Sequence, residues 1–304
     1  MSATRSTSQA HAGIDYGEQL TASGQLRHLL TLDGLPSELI SESLDRAEHY
    51  IAAPVKPVVR SKALAGRTVA NLFFEPSTRT RASFELAAKR LSADVLNLDV
   101  STSSRIKGES ILDTIYTLQA MQSDVFVVRD AAVGVPAMIA ASVRPGVSVL
   151  NAGEASVSHP PQGLIDLLTI RRARPDICAL RVCIVGDIAH SRVARSAATV
   201  LRTMGGGELR LVAPEALRPD ASAFPGASLH DDLASGVVDA DVVMALRIQH
   251  ERISESTDLP DAAEYHRQFG INAAYLRHAS PDVLIMHPGP MNRGVEIDDE
   301  MADC

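Results

Sequence analysis

The sequence has no tryptophan, only three cysteines and an aromatic content of 4% across 304 residues. The thiols, Cys178, Cys183 and Cys304, are too few and odd in number for a disulfide framework, and they match a reducing, cytoplasmic setting. Cys178 and Cys183 have no His or Cys companions at zinc-site spacing, so they are expected to be structural thiols and no metal is expected. No apolar run reaches the length of a membrane span, which argues against a membrane role. The stretch 1–25 is polar, lacks the apolar core of a secretory signal, and reads as a flexible tail, with a subunit-contact arm as the alternative. Basic charge is also scarce. With 29 Lys and Arg against 37 Asp and Glu, the net charge of −8 argues against a nucleic-acid partner but leaves room for a local arginine cluster around an anionic metabolite.

What the sequence does contain is alternation. Residues 69–74, 94–98, 125–129 and 147–151 are short apolar runs, each of strand length. Between them lie helical spacings, such as Phe84, Ala87, Ala88 and Leu91, and Ile111, Ile115 and Leu118. The pattern restarts with strand-like runs at 182–185, 208–212, 241–246 and 283–286, and with a helix over 191–204 expected to bury Val193, Ala197, Val200, Leu201 and Met204. Buried strands alternating with amphipathic helices predict an α/β protein of two doubly wound domains, each a parallel sheet flanked by helices. The expected division is a tail over 1–25, a first domain over 26–160 and a second over 161–304, with the helical stretch 160–174 bridging them. No repeat of 20–50 residues is present to suggest a solenoid. In open parallel sheets ligands bind beyond the carboxyl ends of the strands, and the polar motifs here follow predicted strands.

The strongest motif is Glu75-Pro76-Ser77-Thr78-Arg79-Thr80-Arg81, placed after one strand and opening a helix. Pro76 marks a helix start, and Ser77 or Thr78 can cap it. A helix N-terminus offers unpaired N–H groups and partial positive charge. Three hydroxyls and a guanidinium added there make a site for a phosphate dianion. The spacing of a Walker A loop is absent.

On this motif the sequence resembles the aspartate/ornithine carbamoyltransferase family over roughly residues 26–298. The resemblance implies carbamoyl phosphate contacts for Ser77, Thr78, Arg79 and Thr80, with Thr80 also at the carbonyl oxygen. Arg129, ending a strand, matches the family's arginine for phosphate and carbonyl. His159-Pro160-Pro161-Gln162 is similar to His-Pro-Thr-Gln, which implies that His159 meets the carbonyl oxygen and Gln162 the carbamoyl amine. Lys107-Gly108-Glu109 and Ser103 resemble the segment that enters a neighbouring subunit's site, so a homotrimer or higher assembly is implied. Arg192, Lys107, Arg247 and Gln249 resemble the binders of an aspartate acceptor. The loop His287-Pro288-Gly289-Pro290 resembles the one whose backbone carbonyls, here around Gly289 and Pro290, accept from the carbamoyl amide. Glu75 and Arg252 match positions that link the domains on closure.

The implied activity is transfer of a carbamoyl group from carbamoyl phosphate to L-aspartate in pyrimidine biosynthesis, with no cofactor. An activated donor needs no covalent nucleophile. Positioning can supply about 7–11 kcal/mol of barrier reduction, and Thr80, Arg129 and His159 would form the oxyanion site. His159 is more useful there as a neutral donor than as a base, and the departing phosphate can take the amine proton. The paired guanidinium forks of Arg192 and Arg247 suit a dicarboxylate better than ornithine.

The sequence departs from the family pattern at Asp130, where a histidine is usual, at Pro161 and Gly163, and at the end, where a further helix is expected but the chain stops at Cys304. Asp130 is expected to pair with Arg129 and weaken substrate binding. A catalytically weak scaffold subunit is therefore the alternative reading, with regulatory or dihydroorotase-like chains as partners. An enzyme for another acceptor amino acid is a second alternative. A dinucleotide-binding enzyme is a third, although Val185-Gly186-Asp187 lacks the Gly-x-Gly-x-x-Gly pattern.

Overall fold

A computed structural model describes residues 15–17, 19–51, 58–98, 108–253, 257 and 259–303. The chain divides into two compact units, Met1–Pro161 and Gln162–Cys304.

The first unit is built on a four-stranded parallel sheet in the order β2-β1-β3-β4, with β1 Thr68–Phe73, β2 Asp94–Leu98, β3 Val125–Asp130 and β4 Ser148–Glu154. Its helices are α1 Ser37–Tyr50, α2 Thr78–Arg90, α3 Ile111–Ala120 and α4 Val135–Ser142. Side chains alternate across a strand, and this sorts the apolar runs into two cores. Ala70, Leu72, Phe126, Val128 and Val149 face Ile115, Leu118 and Ile139 on one side. Val69, Phe73, Val127 and Ala152 face Ala88 on the other. Because both faces are covered, the strands read as continuous hydrophobic runs. The edge strand β2 is mostly exposed, and on α2 only Ala88 is buried, whereas Ala87, expected inside, is exposed. Within the stretch expected to be a tail, the Tyr16 hydroxyl donates to Glu154 at 3.2 Å. The Gln19 side-chain carbonyl accepts from the Leu30 N–H at 2.7 Å and the Thr31 N–H at 3.0 Å.

Helix α5, Pro160–Ala173, carries the chain from the first unit into the second. The second sheet has five parallel strands in the order β7-β6-β5-β8-β9, with β5 Arg181–Gly186, β6 Glu208–Val212, β7 Ser228–His230, β8 Val242–Leu246 and β9 Leu284–Met286. Helix α6, Arg192–Thr203, buries Ala194, Ala197, Ala198, Val200 and Leu201, while Val193 and Met204 are only half-buried. The rest of this unit includes α7 Leu233–Val237, α8 Ala262–Phe269, α9 Ala273–Leu276 and α10 Asp299–Ala302. Strand β7 carries no apolar run that would have announced it. Its three residues are strand only because they pair with Arg210, Leu211 and Val212 of β6.

Both sheets have a reversal of strand order, between β1 and β3 in the first and between β5 and β8 in the second. At such a point successive connections leave on opposite faces, and a crevice opens beyond the strand ends. Gly186 closes β5 at the second reversal with φ +125, and a Cβ there would lie 2.3 Å from the Leu246 carbonyl oxygen in β8. Gly186→Ala is expected to force the ends of β5 and β8 apart and to lower the thermal midpoint by several degrees; an unchanged melting curve would show that the two strand ends are not tightly apposed.

Candidate active site

In the first unit the Glu75–Arg81 motif lies directly after β1. Ser77 occupies the N-cap position of α2 with extended backbone, yet its side chain makes no capping bond to the helix. Its hydroxyl instead meets the Thr80 hydroxyl at 2.9 Å. The first turn also carries no acidic residue. The Ser77 side chain therefore does not cap this helix start and no carboxylate stands in its first turn, the condition that suits an anion. Thr78 and Arg79 are exposed and Thr80 is half-buried.

Neighbouring strand ends close around this loop. The N–H groups of Phe74 and Glu75 donate to the Arg129 carbonyl at 2.8 and 3.3 Å, tying the loop to the end of β3. Arg129 is 8% exposed. One Nη donates to Glu75 Oε1 at 2.6 Å and the other to the Ala152 carbonyl, on β4, at 3.2 Å. His159, 7% exposed, follows β4 at the start of α5. The loop, Arg129 and His159 thus come from the carboxyl ends of β1, β3 and β4.

Asp130 does not behave as expected. Its carboxylate accepts from the Ala132 N–H at 2.7 Å, at a point where the β3–β4 register is irregular. It is 2% exposed and opposes Glu154 in the β3–β4 register. Burial raises the Glu154 carboxyl above its ordinary range despite hydrogen bonds from Gly134, Tyr16 and Asn151, and the nearby Asp130 adds to the rise. The partner that Arg129 does have, Glu75, was expected at a domain-closure position.

In the second unit the residues following β5 and β8 are joined by a buried carboxylate. Asp187 accepts from the Gln249 N–H at 3.0 Å and lies 2.8 Å from His190 Nδ1. The Gln249 side-chain amide donates to the His190 carbonyl at 3.1 Å, and Arg252 reaches the same oxygen at 3.4 Å. Arg192 is 7% exposed at the first turn of α6, where the Ser191 hydroxyl caps the Ala194 N–H at 3.0 Å. Arg247, at the end of β8, is paired with Glu251 and donates to the Ile248 carbonyl at 3.1 Å. In the late loop, His287 Nδ1 accepts from the Gly289 N–H at 2.8 Å while its Nε2 lies 3.1 Å from Glu296, and the Gly289–Pro290 peptide is cis.

Gln162 and Asp166 form a further pair on α5. The Gln162 amide donates to Asp166 Oδ1 at 2.9 Å, and burial pushes the Asp166 carboxyl up to about 7. Asp166 was not singled out from the sequence, although its i, i+4 spacing from Gln162 on a predicted helix was the available signal. Ser103 and Lys107 lie outside the described residues.

Each of the two parallel α/β units places arginines near a sheet reversal, and the first adds an anion-suited helix start. The sequence profile described as aspartate/ornithine carbamoyltransferase, carbamoyl-P binding domain, matches residues 27–172. The profile for the Asp/Orn binding domain matches residues 179–304. The catalytic subunit of the M. jannaschii aspartate transcarbamoylase is 32% identical over 91% of this chain and 90% of that one, with a TM-score of 0.77. The Trypanosoma cruzi aspartate transcarbamoylase, solved with carbamoyl aspartate and phosphate, is 28% identical over 94% of this chain and 91% of that one, with a TM-score of 0.76. The Pyrococcus furiosus ornithine carbamoyltransferase is 29% identical over 91% of this chain and 89% of that one, also with a TM-score of 0.76. The chain belongs to the aspartate/ornithine carbamoyltransferase family.

Glu75 occupies the Arg129 guanidinium, where an incoming anion would have to compete with it. Glu75→Gln keeps an acceptor oxygen but removes the competing negative charge, so inorganic phosphate is expected to bind about fivefold more tightly by calorimetry, equivalent to roughly 1 kcal/mol; unchanged affinity would show that the two anions do not compete.

Proposed function

We propose that this chain transfers the carbamoyl group of carbamoyl phosphate to the amine of L-aspartate, giving N-carbamoyl-L-aspartate and phosphate. The observation that carries the choice of acceptor is the presence of Arg192 and Arg247 with Gln249 at the carboxyl ends of β5 and β8, where the second sheet reverses. Guanidinium forks match carboxylates bidentately, and an aspartate acceptor carries two. The distal amine of ornithine would instead need an acidic partner. The likeness to the M. jannaschii and T. cruzi aspartate transcarbamoylases supports the same reading.

In this reading Ser77, Thr78, Arg79 and Thr80 hold the phosphate with the free N–H groups of α2. Gln162 and the carbonyls of the Gly289–Pro290 loop hold the carbamoyl amine. The aspartate amine attacks the carbonyl carbon, and charge gathers on the carbonyl oxygen, where Thr80, Arg129 and His159 donate. The new C–N bond forms, the C–O bond to phosphate breaks, and the departing phosphate takes the amine proton. Loss of His159 is expected to cost about 2.7–4 kcal/mol of transition-state stabilisation, the typical worth of one oxyanion donor.

The same reading makes the active unit a homotrimer or larger, in which Ser103 and Lys107 serve a neighbouring protomer. The first unit leaves Leu86, Tyr116 and Met121 at least half exposed, at 50%, 51% and 64%, apolar surface of the kind that association covers. A weak scaffold subunit finds no support in Asp130, whose carboxylate is engaged with Ala132 rather than Arg129.

With carbamoyl phosphate and a panel of amino acids, phosphate release and carbamoylated product are expected with aspartate alone. Appreciable citrulline from ornithine would overturn the assignment, and silence with every acceptor would favour the scaffold. Lys107→Ala and Ser77→Ala subunits, each nearly inactive, are expected to regain activity when mixed and reassembled. Hybrids that stay inactive would refute shared sites.

A further inference from the structure

Asp166 lies one helical turn beyond Gln162 on α5 and is 3% exposed. Its Oδ1 accepts from the Gln162 amide at 2.9 Å. Its Oδ2 is equally buried and has no hydrogen-bond partner among the described residues. A buried carboxylate with one oxygen unsatisfied is a burden on folding, and an apolar side chain of similar size would fit the helix at lower cost. Burial pushes this carboxyl up to about 7. The folded chain therefore holds the Asp166 proton more tightly than the unfolded chain does. Ionising it removes stability as pH rises from the ordinary carboxylate range towards 7. A group that lowers stability near neutral pH, beside a proposed substrate-binding residue, calls for a reason other than packing.

The chemistry of the pair supplies one. The two ends of a glutamine amide have nearly the same shape but opposite roles, one a donor and one an acceptor. In its ionised form, favoured as pH rises above about 7, the carboxylate only accepts, so there only the NH2 end of Gln162 can face it. The Gln162 Oε1 is thereby turned away from Asp166, and it accepts from none of the described residues. The carbamoyl group of carbamoyl phosphate presents an NH2 that needs an acceptor. An amide turned the other way would set N–H against N–H.

We propose that Asp166 is a positioning residue that locks the Gln162 amide with its carbonyl oxygen outward, and so selects carbamoyl phosphate over acyl phosphates that lack an amine. The inference rests on the assignment of Gln162 to the carbamoyl amine. Acetyl phosphate has the same phosphate and carbonyl but a methyl group in place of the NH2. It feels the rest of the site without the contact that Asp166 governs.

The test is equilibrium binding of carbamoyl phosphate and of acetyl phosphate to the full chain, by calorimetry. Wild type is expected to prefer carbamoyl phosphate. Asp166→Leu is expected to lose about tenfold in carbamoyl phosphate affinity, the order of one well-aligned hydrogen bond, while acetyl phosphate affinity stays within twofold. Asp166→Asn, which keeps an acceptor oxygen, is expected to fall between the two, with its loss confined to carbamoyl phosphate. In a Gln162→Ala background Asp166→Leu is expected to add no further loss. Thermal unfolding at pH 8 controls for folding, with Asp166→Leu expected at or above the wild-type midpoint; should that variant fail to fold, Asp166→Asn carries the same comparison. Equal losses for both ligands, an undiminished effect in the Gln162→Ala background, or no discrimination by wild type would each overturn the inference. Formation of N-carbamoylaspartate by wild type, assayed separately, reports on the acceptor alone, so the two readings fail independently.

Discussion

Strand direction in two parallel sheets is the constraint on which the polar chemistry of this protein depends. When all strands of a sheet run the same way, their carboxyl ends gather at one edge, and a reversal of strand order opens a crevice there. The first sheet reverses between β1 and β3, and the second between β5 and β8. The Glu75–Arg81 motif follows β1 and Arg129 lies near the carboxyl end of β3, while Arg192 and the Arg247–Gln249 turn follow β5 and β8. Residues scattered along the chain become a few strand ends in each unit without any one of them having to be recruited separately.

Guanidinium groups in such places need restraint. Arg129 is held by Glu75 at 2.6 Å and by the Ala152 carbonyl at 3.2 Å, and Arg247 by Glu251 and the Ile248 carbonyl. These partners keep the forks oriented, and orientation fixed before a ligand arrives is what makes electrostatic stabilisation effective in catalysis. They also compete with any incoming anion. At the helix start Ser77 and Thr80 bond to each other, and the Ser77 side chain does not cap the backbone N–H groups.

The site regions also collect carboxylates that an apolar interior would not choose. Asp130, Glu154, Asp166 and Asp187 are each no more than 3% exposed. Three of them have a visible task. Asp187 joins the chain after β5 to the chain after β8 through His190 and Gln249, Glu154 gathers Gly134, Tyr16 and Asn151, and Asp166 holds the Gln162 amide. Among the described residues Asp130 accepts from the Ala132 N–H, and Arg129 is paired with Glu75 instead of with it.

What the linear sequence determined is local and periodic. Apolar runs of strand length identified eight of the nine strands, because strands covered on both faces need continuous hydrophobicity. The Ser77–Arg81 motif marked an anion-suited helix start, because capping chemistry is written within a few residues. Strand β7 escaped notice because Ser228–His230 has no such run and exists through pairing with β6. Tertiary structure alone decided which partners meet across long separations. It set Glu75 against Arg129, 54 positions apart, and Asp187 against Gln249, 62 positions apart. It also chose which faces of α2 and α6 are buried, leaving Ala87 exposed and Val193 half-buried. Those outcomes depend on strand order and on what each helix packs against, and neither is encoded in the spacing of neighbouring residues.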